Sequence, residues 1–387
     1  MSQALFIVAG ESSGDLHGAT LARALHQRRP DIYLAGIGGH RMAEAGVEII
    51  RDLTPHAAVG ISEAIHSVRA VLAAFRRMVR LLQERRPDAV VLIDYPEFNV
   101  RFARKAHRLG IPVVYYISPQ VWAWRERRVK TIARCVDLLL VILPFEAPFY
   151  EARGVEATFV GHPLLDVLAD YRRDRSLAPQ LGLPTEGFIL GLLPGSRRRE
   201  VAALLPEMLR AAEVLRRELG QLAVAAAPAP GMDCSGWQAG SPVQLHLLPG
   251  RAHELMCVAD LLLVASGTAT LEAGIIGTPM IVTYRVSRLT ELVAKLLVRN
   301  IRFCSLVNLV AERELVPELL QADATGERIA ARALDLIRSG GLERMERELA
   351  EEVRPRLGEP GAASRAADHI LELLDRRSAR ASPSRLA

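Results

Sequence analysis

Short, uninterrupted apolar runs alternate along this chain with longer segments in which apolar positions recur every three or four residues. In the first half the runs are "LFIVAG", "AVVLID", "PVVYYIS", "DLLLVIL" and "ATFVGH". Runs this short and apolar at every position predict strands covered on both faces, as in a parallel sheet. The segments between them, among them "LHGATLARALHQRR", Ile61 to Arg86 and "NVRFARKAHRLG", carry helical spacing. After about Leu168 the text becomes "DYRRDRSLAPQLGLP", whose charges and turn residues suit a linker. The pattern then restarts with "FILGLLPGS", "LAVAAA", "QLHLLPG", "DLLLVASG" and "PMIVTY".

One plan is thus used twice: strand, glycine-containing turn, helix. It predicts an α/β protein of two doubly wound, Rossmann-like domains facing each other across an interdomain cleft. The expected boundaries are 1–168 for the first domain and 169–344 for the second. Two C-terminal helices, at about 345–378, precede a frayed tail at 379–387. In such sheets ligands bind beyond the carboxyl ends of the strands, where the glycine-rich turns sit in both halves.

Composition removes several classes. A chain of 387 residues, half of them apolar, can bury more than one core and is not disordered. Cys135, Cys234, Cys257 and Cys304 form no CxxC pair, which argues against a disulfide scaffold or a zinc site and for a reducing compartment. The N-terminus lacks the basic segment of a signal peptide. The longest nearly uncharged stretch, Gln221 to Gly250, is broken by prolines and glycines and cannot span a bilayer. A cytoplasmic protein is expected, with a membrane surface as a further option. The net charge is +5, and 46 of the 49 basic residues are arginine, whose guanidinium groups favour phosphate.

The strand-end turns carry the chemistry. "GESSGDLHG" opens the first helix with Glu11, Ser12, Ser13 and Asp15. Two carboxylates there repel phosphate, so the loop either lines the cleft or simply caps the helix. It is not GxGxxG, which leaves a nicotinamide dehydrogenase with little support. "VVLIDYPEFN" puts Asp94 just past an apolar strand, where it is either a general base or a satisfied structural carboxylate; Asn99 could orient it or a substrate. "SPQVWAWRERR" brings Trp122, Trp124 and Arg125 together, to stack on a sugar or to start a helix rigidly. "GHPLLD" adds His162 at a strand end.

In the second half, "LLPGSRRREV" sets Gly195, Ser196 and Arg197 at a helix start, where backbone N–H groups, a hydroxyl and a guanidinium converge on one anion site. It lacks the GK[ST] ending of a nucleotide-hydrolysing loop. "ASGTATLE" offers a second such turn at Ser266, Gly267 and Thr268, followed by Glu272, which either accepts ribose hydroxyls or balances the helix dipole. "SLVNLVAEREL" adds Asn308 and Arg313. Finally, Ile61, Ile65, Val68, Leu72, Phe75, Val79 and Leu82 form a helical seam flanked by arginines. That seam packs on the sheet, meets lipid, or does both along different parts of its length.

Seven of these motifs and "LPFE", taken in order, resemble the lipid-A-disaccharide synthase family, and the resemblance covers about Phe6 to Leu374: "GESSGDLHG", "IDYPEFN", "SPQVWAWR", "LPFE", "GHPLLD", "LLPGSRRREV", "ASGTATLE" and "SLVNLVAERELVPELLQ". The resemblance implies a GT-B glycosyltransferase without metal or other cofactor. The reaction it implies moves 2,3-diacylglucosamine from its UDP donor to the 6-hydroxyl of 2,3-diacylglucosamine 1-phosphate, with inversion. The first domain, with both C-terminal helices returned to it, would hold the acceptor, and the second would hold UDP.

By the same resemblance Asp94 is the base and Glu11 a second functional carboxylate. Arg197, Glu272 and Asn308 match donor-site positions, and Gly195, Ser196, Ser266, Gly267 and Thr268, from the two anion-binding turns, are expected to face the donor with them. Ser12, Ser13, Asp15, Asn99, Trp124 and Arg125, from the turns around those carboxylates, are expected to face the acceptor, and Ile61, Ile65, Val68 and Leu72 to meet acyl chains or membrane. The partners are the two lipid substrates and the cytoplasmic face of a Gram-negative inner membrane, with no nucleic acid; a homo-oligomer is left open. One departure is the stretch from Pro228 to Pro242, near the expected uracil, which is richer in proline and glycine than a helix there would be. The competing readings are another UDP-sugar enzyme of the same fold, either a peptidoglycan glycosyltransferase or a UDP-N-acetylglucosamine 2-epimerase, and a non-catalytic nucleotide- or lipid-binding membrane protein.

Overall fold

The computed structural model describes residues 3–53, 64–122, 126–286 and 302–381. The chain divides into two compact units, Met1–Pro163 with Gly358–Ala387, and Leu164–Leu357.

The first unit is built on a parallel seven-stranded sheet. In chain order it comprises β1 (Ala4–Ala9), α1 (Ser12–Arg28), β2 (Tyr33–Ile37), α2 (His40–Glu44), β3 (Glu48–Arg51), α3 (Ala64–Arg85), β4 (Ala89–Ile93), α4 (Pro96–Arg108), β5 (Val113–Tyr116), α5 (Val129–Cys135), β6 (Leu138–Val141), α6 (Glu146–Glu151) and β7 (Thr158–Phe159). The strand order is β3-β2-β1-β4-β5-β6-β7. Alternate residues of each strand enter opposite cores, which is why the runs are apolar throughout. Phe6, Val8, Val90 and Leu92 join the core that includes Met78 of α3 and Phe102 of α4, while Leu5, Ile7, Val91 and Ile93 join that of Leu21 and Leu25 of α1.

The second unit repeats the plan with six parallel strands. It comprises α7 (Leu164–Val167), β8 (Phe188–Leu193), α8 (Arg198–Leu219), β9 (Leu222–Ala226), β10 (Leu245–Leu247), α9 (Ala252–Val258), β11 (Leu261–Ala265), α10 (Thr268–Ile276), β12 (Met280–Tyr284), α11 (Leu306–Ala311), β13 (Glu318–Leu320), α12 (Gly326–Arg338) and α13 (Gly341–Arg356). Its order is β10-β9-β8-β11-β12-β13. Strand order reverses between β1 and β4 in the first sheet and between β8 and β11 in the second. Such reversals open the crevices that bind ligands. The turns after these four strands carry Glu11, Asp94, Arg197 and Gly267.

Three strands went unread in the sequence: β2, β3 and β13. β3 and β13 are edge strands with half-exposed or exposed positions, so they lack the unbroken apolar run of an inner strand. The expected linker is folded onto the second unit. Arg175 donates to Asp260 at 2.7 Å and to the Val258 carbonyl, so its charge is paired.

The expected boundaries also shift. The first unit ends at Pro163 instead of 168. Of the two C-terminal helices expected in the first domain, α13 belongs to the second unit, where Leu349 and Val353 lie within van der Waals reach of Gly274 on α10. Only the last helix, Ala362–Ala381, joins the first unit. It buries Ala366, Ala367 and Ile370 and pairs Asp368 with Arg28, the last residue of α1, and Asp375 with Arg29, its C-cap. That helix runs into the segment expected to fray, and 382–387 lie outside the described residues.

Candidate active site

β4 delivers Asp94 to the switch point of the first unit in an uncommon way. Asp94 and Tyr95 are consecutive non-glycine residues in the left-handed region, at φ 43° and 44°. Each such residue costs on the order of 1–3 kcal/mol and persists only where its surroundings over-determine it. Here they do. The Asp94 N–H donates to the Ile117 carbonyl at 3.1 Å. The Asp94 carbonyl accepts from Asn99 Nδ2 at 2.8 Å and from the Tyr115 hydroxyl at 2.7 Å. The Tyr95 ring lies against Gly10, where a Cβ would come within 2.2 Å of it, and stacks on Phe98 with centroids 5.7 Å apart. Pro96 then starts α4 with its φ already helical.

The result is an Asp94 carboxyl raised to about 6 by burial first and the Glu11 charge second, against one backbone bond from Tyr95 that favours ionisation. Glu11 itself is exposed at the start of α1. Burial holds two imidazoles of this unit neutral: His17 is lowered to about 4, and His162 to about 3 with help from His17. An aspartate that ionises near neutrality is a competent acceptor for an alcohol proton.

Other expected acceptor residues have different work. Asp15 is buried, and its carboxylate accepts from the N–H groups of Gly39 (2.6 Å), Arg41 and Met42 (both 3.1 Å). It caps α2, whose first N–H groups have no helical partner, and does not face a ligand. Asn99 is fully buried and braces the Asp94–Tyr95 turn, also donating toward the Ile93 carbonyl at 3.1 Å, so it positions the base and does not bind substrate. Ser13 is exposed on the first turn of α1. The Ser12 side chain, Trp124 and Arg125 lie outside the described residues.

Sequence reasoning missed Glu146. Its buried carboxylate accepts from Ser118 Oγ (2.9 Å), Trp122 Nε1 (3.3 Å) and the N–H groups of Ile142 (3.2 Å) and Leu143 (3.0 Å). Burial raises it to about 7 against these four donors. It ties the turn after β5 to the turn after β6, next to strained Ile117 at φ 63°. The glutamate ending "LPFE" was the available signal.

In the second unit the turn after β8 is built from backbone. Gly195 takes φ 112°, and a Cβ there would sit 2.8 Å from Glu200 Oε2. Arg197 caps α8, and Glu200 reaches back to its N–H (3.4 Å) and its guanidinium (3.2 Å). Ser196, Arg197, Arg198 and Arg199 are exposed. Gly267 and Thr268 are exposed at the start of α10.

Two donor-side expectations change, and a third residue gains a partner. Ser266 donates its hydroxyl to the Cys304 carbonyl at 2.9 Å, so it anchors the turn and has no proton left for a phosphate. Asn308 is fully buried and completely engaged. Its Nδ2 donates to Val316 O and Glu318 Oε1, both at 2.8 Å, and its Oδ1 accepts from Leu315 and Val316 N–H. It locks α11 to β13 and does not reach a donor. Glu272 has an unforeseen neighbour: its Oε2 lies 3.6 Å from His253 Nε2 and raises that imidazole, whose ring meets Tyr171 edge-on at 5.0 Å.

The helical seam is divided. Met78, Leu81 and Leu82 of α3 are buried under the first sheet, with Phe75 and Val79 partly so. Leu72 is 44% exposed, with Arg69 and Arg76 exposed beside it. Ile61 and the side chains of Ile65 and Val68 lie outside the described residues. Among the described residues no helix is long and apolar enough to cross a membrane.

Comparison with known proteins adds independent findings. The family model described as lipid-A-disaccharide synthetase matches residues 5–370. A lipid-A-disaccharide synthase of Myxococcus xanthus is 44% identical over 374 residues, covering 96% of this chain and 97% of that one. Among solved structures, a UDP-N-acetylglucosamine 2-epimerase described as such from Listeria monocytogenes superposes with TM-score 0.67 at 13% identity, over 97% of this chain and 98% of that one. The MurG protein of Acinetobacter baumannii does so with TM-score 0.60 at 15% identity, over 96% and 99%. At these identities the structural likenesses speak to the GT-B fold alone.

Proposed function

The chain belongs to the lipid-A-disaccharide synthase family, and from that premise we propose how its residues divide the work of the family's reaction. The reaction joins two diacylglucosamine units: the acceptor's 6-hydroxyl attacks the anomeric carbon of a UDP-linked sugar, and UDP leaves from the opposite face. The first unit receives the acceptor and the second the donor. Asp94 takes the hydroxyl proton as the new bond forms. Glu11 keeps that base poised, since its charge opposes early ionisation of Asp94. Ser12, Ser13, Trp124 and Arg125 line the acceptor's approach.

As the glycosidic bond breaks, negative charge gathers on the diphosphate. N–H groups at Gly195, Ser196, Gly267 and Thr268, with the Arg197 guanidinium, receive it. Fixed donors of this kind stabilise developing charge without reorganising at the moment of reaction. Glu272 accepts the ribose hydroxyls. The enzyme works on the cytoplasmic face of the inner membrane, touching it through Leu72 and the arginines of α3, with Ile61, Ile65 and Val68 continuing the same seam.

The observation that carries this reading is Asp94 at a sheet reversal, strained, half-buried and raised to about 6. The test is transfer between diacylated donor and acceptor by purified protein, with UDP affinity measured in parallel. Asp94→Asn should keep UDP affinity and lose turnover by about 10²–10⁴-fold. Unchanged turnover would remove Asp94 from the chemistry, and absence of transfer in the wild type would restore a binding-only role.

A further inference from the structure

A groove of about 380 Å³ is lined by one face of α8. Its floor is a helical stripe, Val201, Ala202, Leu205 and Pro206, and its far wall is Met232 and Trp237 from the segment after β9. Charge enters only at Arg198 and Asp233. Neither the sequence motifs nor the division of labour above uses this feature.

Three observations bear on its occupant. The groove's lining includes Arg198, the residue after Arg197, so whatever lies in it adjoins the turn assigned to the diphosphate. From Arg198 to Pro206 the helix rises about 12 Å at about 1.5 Å per residue, the reach of a medium-length alkyl chain. The lining is apolar and includes an adaptable methionine and a broad indole, which suit a flexible chain better than a base whose polar edge needs fixed partners. The segment once expected near uracil thus presents an alkyl surface.

We propose that this groove holds one acyl chain of the UDP-linked donor sugar. The inference rests on the donor reading of the Gly195–Arg197 turn and adds to it a chain-recognition site. The sugar carrying the acyl chains is bonded directly to the diphosphate. Anchoring the diphosphate at the start of α8 therefore delivers a chain to the stripe on the helix's next turns. Chain occupancy raises donor affinity and discriminates by length.

The test fills the groove. Ala202 is exposed on α8, so Ala202→Trp can be accommodated outward while blocking the floor. Met232→Gln, similar in size but polar, is the second variant should the first misfold. Each is assayed for UDP affinity by calorimetry and for kcat/KM with a long-chain diacyl donor and a butyryl analogue, both below their aggregation concentrations. The expected result is a long-to-short ratio of kcat/KM that falls about tenfold in both variants, mostly through KM, with UDP affinity within about twofold of wild type.

An unchanged ratio with UDP affinity intact would overturn the groove. So would a loss that appears only as weaker binding to anionic phospholipid vesicles, which would make the stripe a bilayer contact. Failure of the underlying donor reading is separate: Arg197→Ala would then bind UDP like wild type, whatever the groove variants do.

Discussion

The two units solve one geometric problem with different residues. Each must turn its chain sharply where a central parallel strand ends and a helix begins. In the second unit the turn after β8 places the left-handed angle on Gly195, which adopts it without penalty. In the first unit the turn after β4 places two such angles on Asp94 and Tyr95, and a neighbouring turn places another on Ile117. The difference follows from what each turn offers. A phosphate is held by backbone N–H groups, so glycine suffices and improves access. A proton must be taken by a side chain, so glycine is excluded at the position that needs it most. The first unit therefore carries bracing absent from the β8 turn: Asn99, the Tyr115 hydroxyl, the Ile117 carbonyl and the Tyr95 ring on Gly10.

The most drastic way to break this contrast is to make the first turn resemble the second. Asp94→Gly should lower turnover by about 10²–10⁴-fold, as loss of a general base does. Thermal melting should show the variant at least as stable as wild type, because strain and a half-buried, partly desolvated carboxyl are removed together. A variant clearly less stable than wild type would show that the turn is not strained.

Next in size is the anion side. Arg197→Ala should weaken UDP binding by about 1.5–3 kcal/mol, the worth of a charged hydrogen bond. Asp94→Asn should leave that binding untouched. Calorimetry giving equal losses for both would mean the two roles are not separable.

The pH dependence sharpens the same contrast. Asp94 is raised from 3.8 to about 6 in the folded chain. The folded state thus holds this proton more tightly than the unfolded state. The stabilisation from this group is fully present below pH 3.8 and is lost as pH rises through about 6. Activity should rise over the interval in which this contribution fades. Glu146 is raised too, to about 7, so the Asp94 share is read as the difference between wild type and Asp94→Asn. A difference that is flat in both stability and rate between pH 4 and 7 would contradict the assignment.

The smallest effect concerns α3. Leu72→Ser should change stability by no more than about 0.5 kcal/mol, since Leu72 is exposed. It should reduce association with anionic vesicles by about tenfold, the effect of withdrawing one leucine from an apolar phase. Sedimentation insensitive to this change and to salt would exclude α3 as the membrane contact.

Much of this protein was determined by sequence alone. Unbroken apolar runs specify inner parallel strands, since a strand covered on both faces has no polar position to spare. Turn residues at the run ends mark where N–H groups and carboxylates collect, so Asp94, Gly195, Arg197 and Glu272 could be named from local text. Whether a polar residue at a strand end serves a ligand or the fold was decided only in three dimensions. Asp15 reaches the unpaired N–H groups that open α2, beginning at Gly39, Asn308 the chain at 315–318, and Asn99 the carbonyl of a strained turn. Glu146 gathers donors from two separate turns. A buried polar group must be matched by partners, and those partners arrive from distant segments brought near by the sheet. The same holds for edge strands such as β13 and for the outward turn of Leu72, where neighbours, and not periodicity, decide which side meets water.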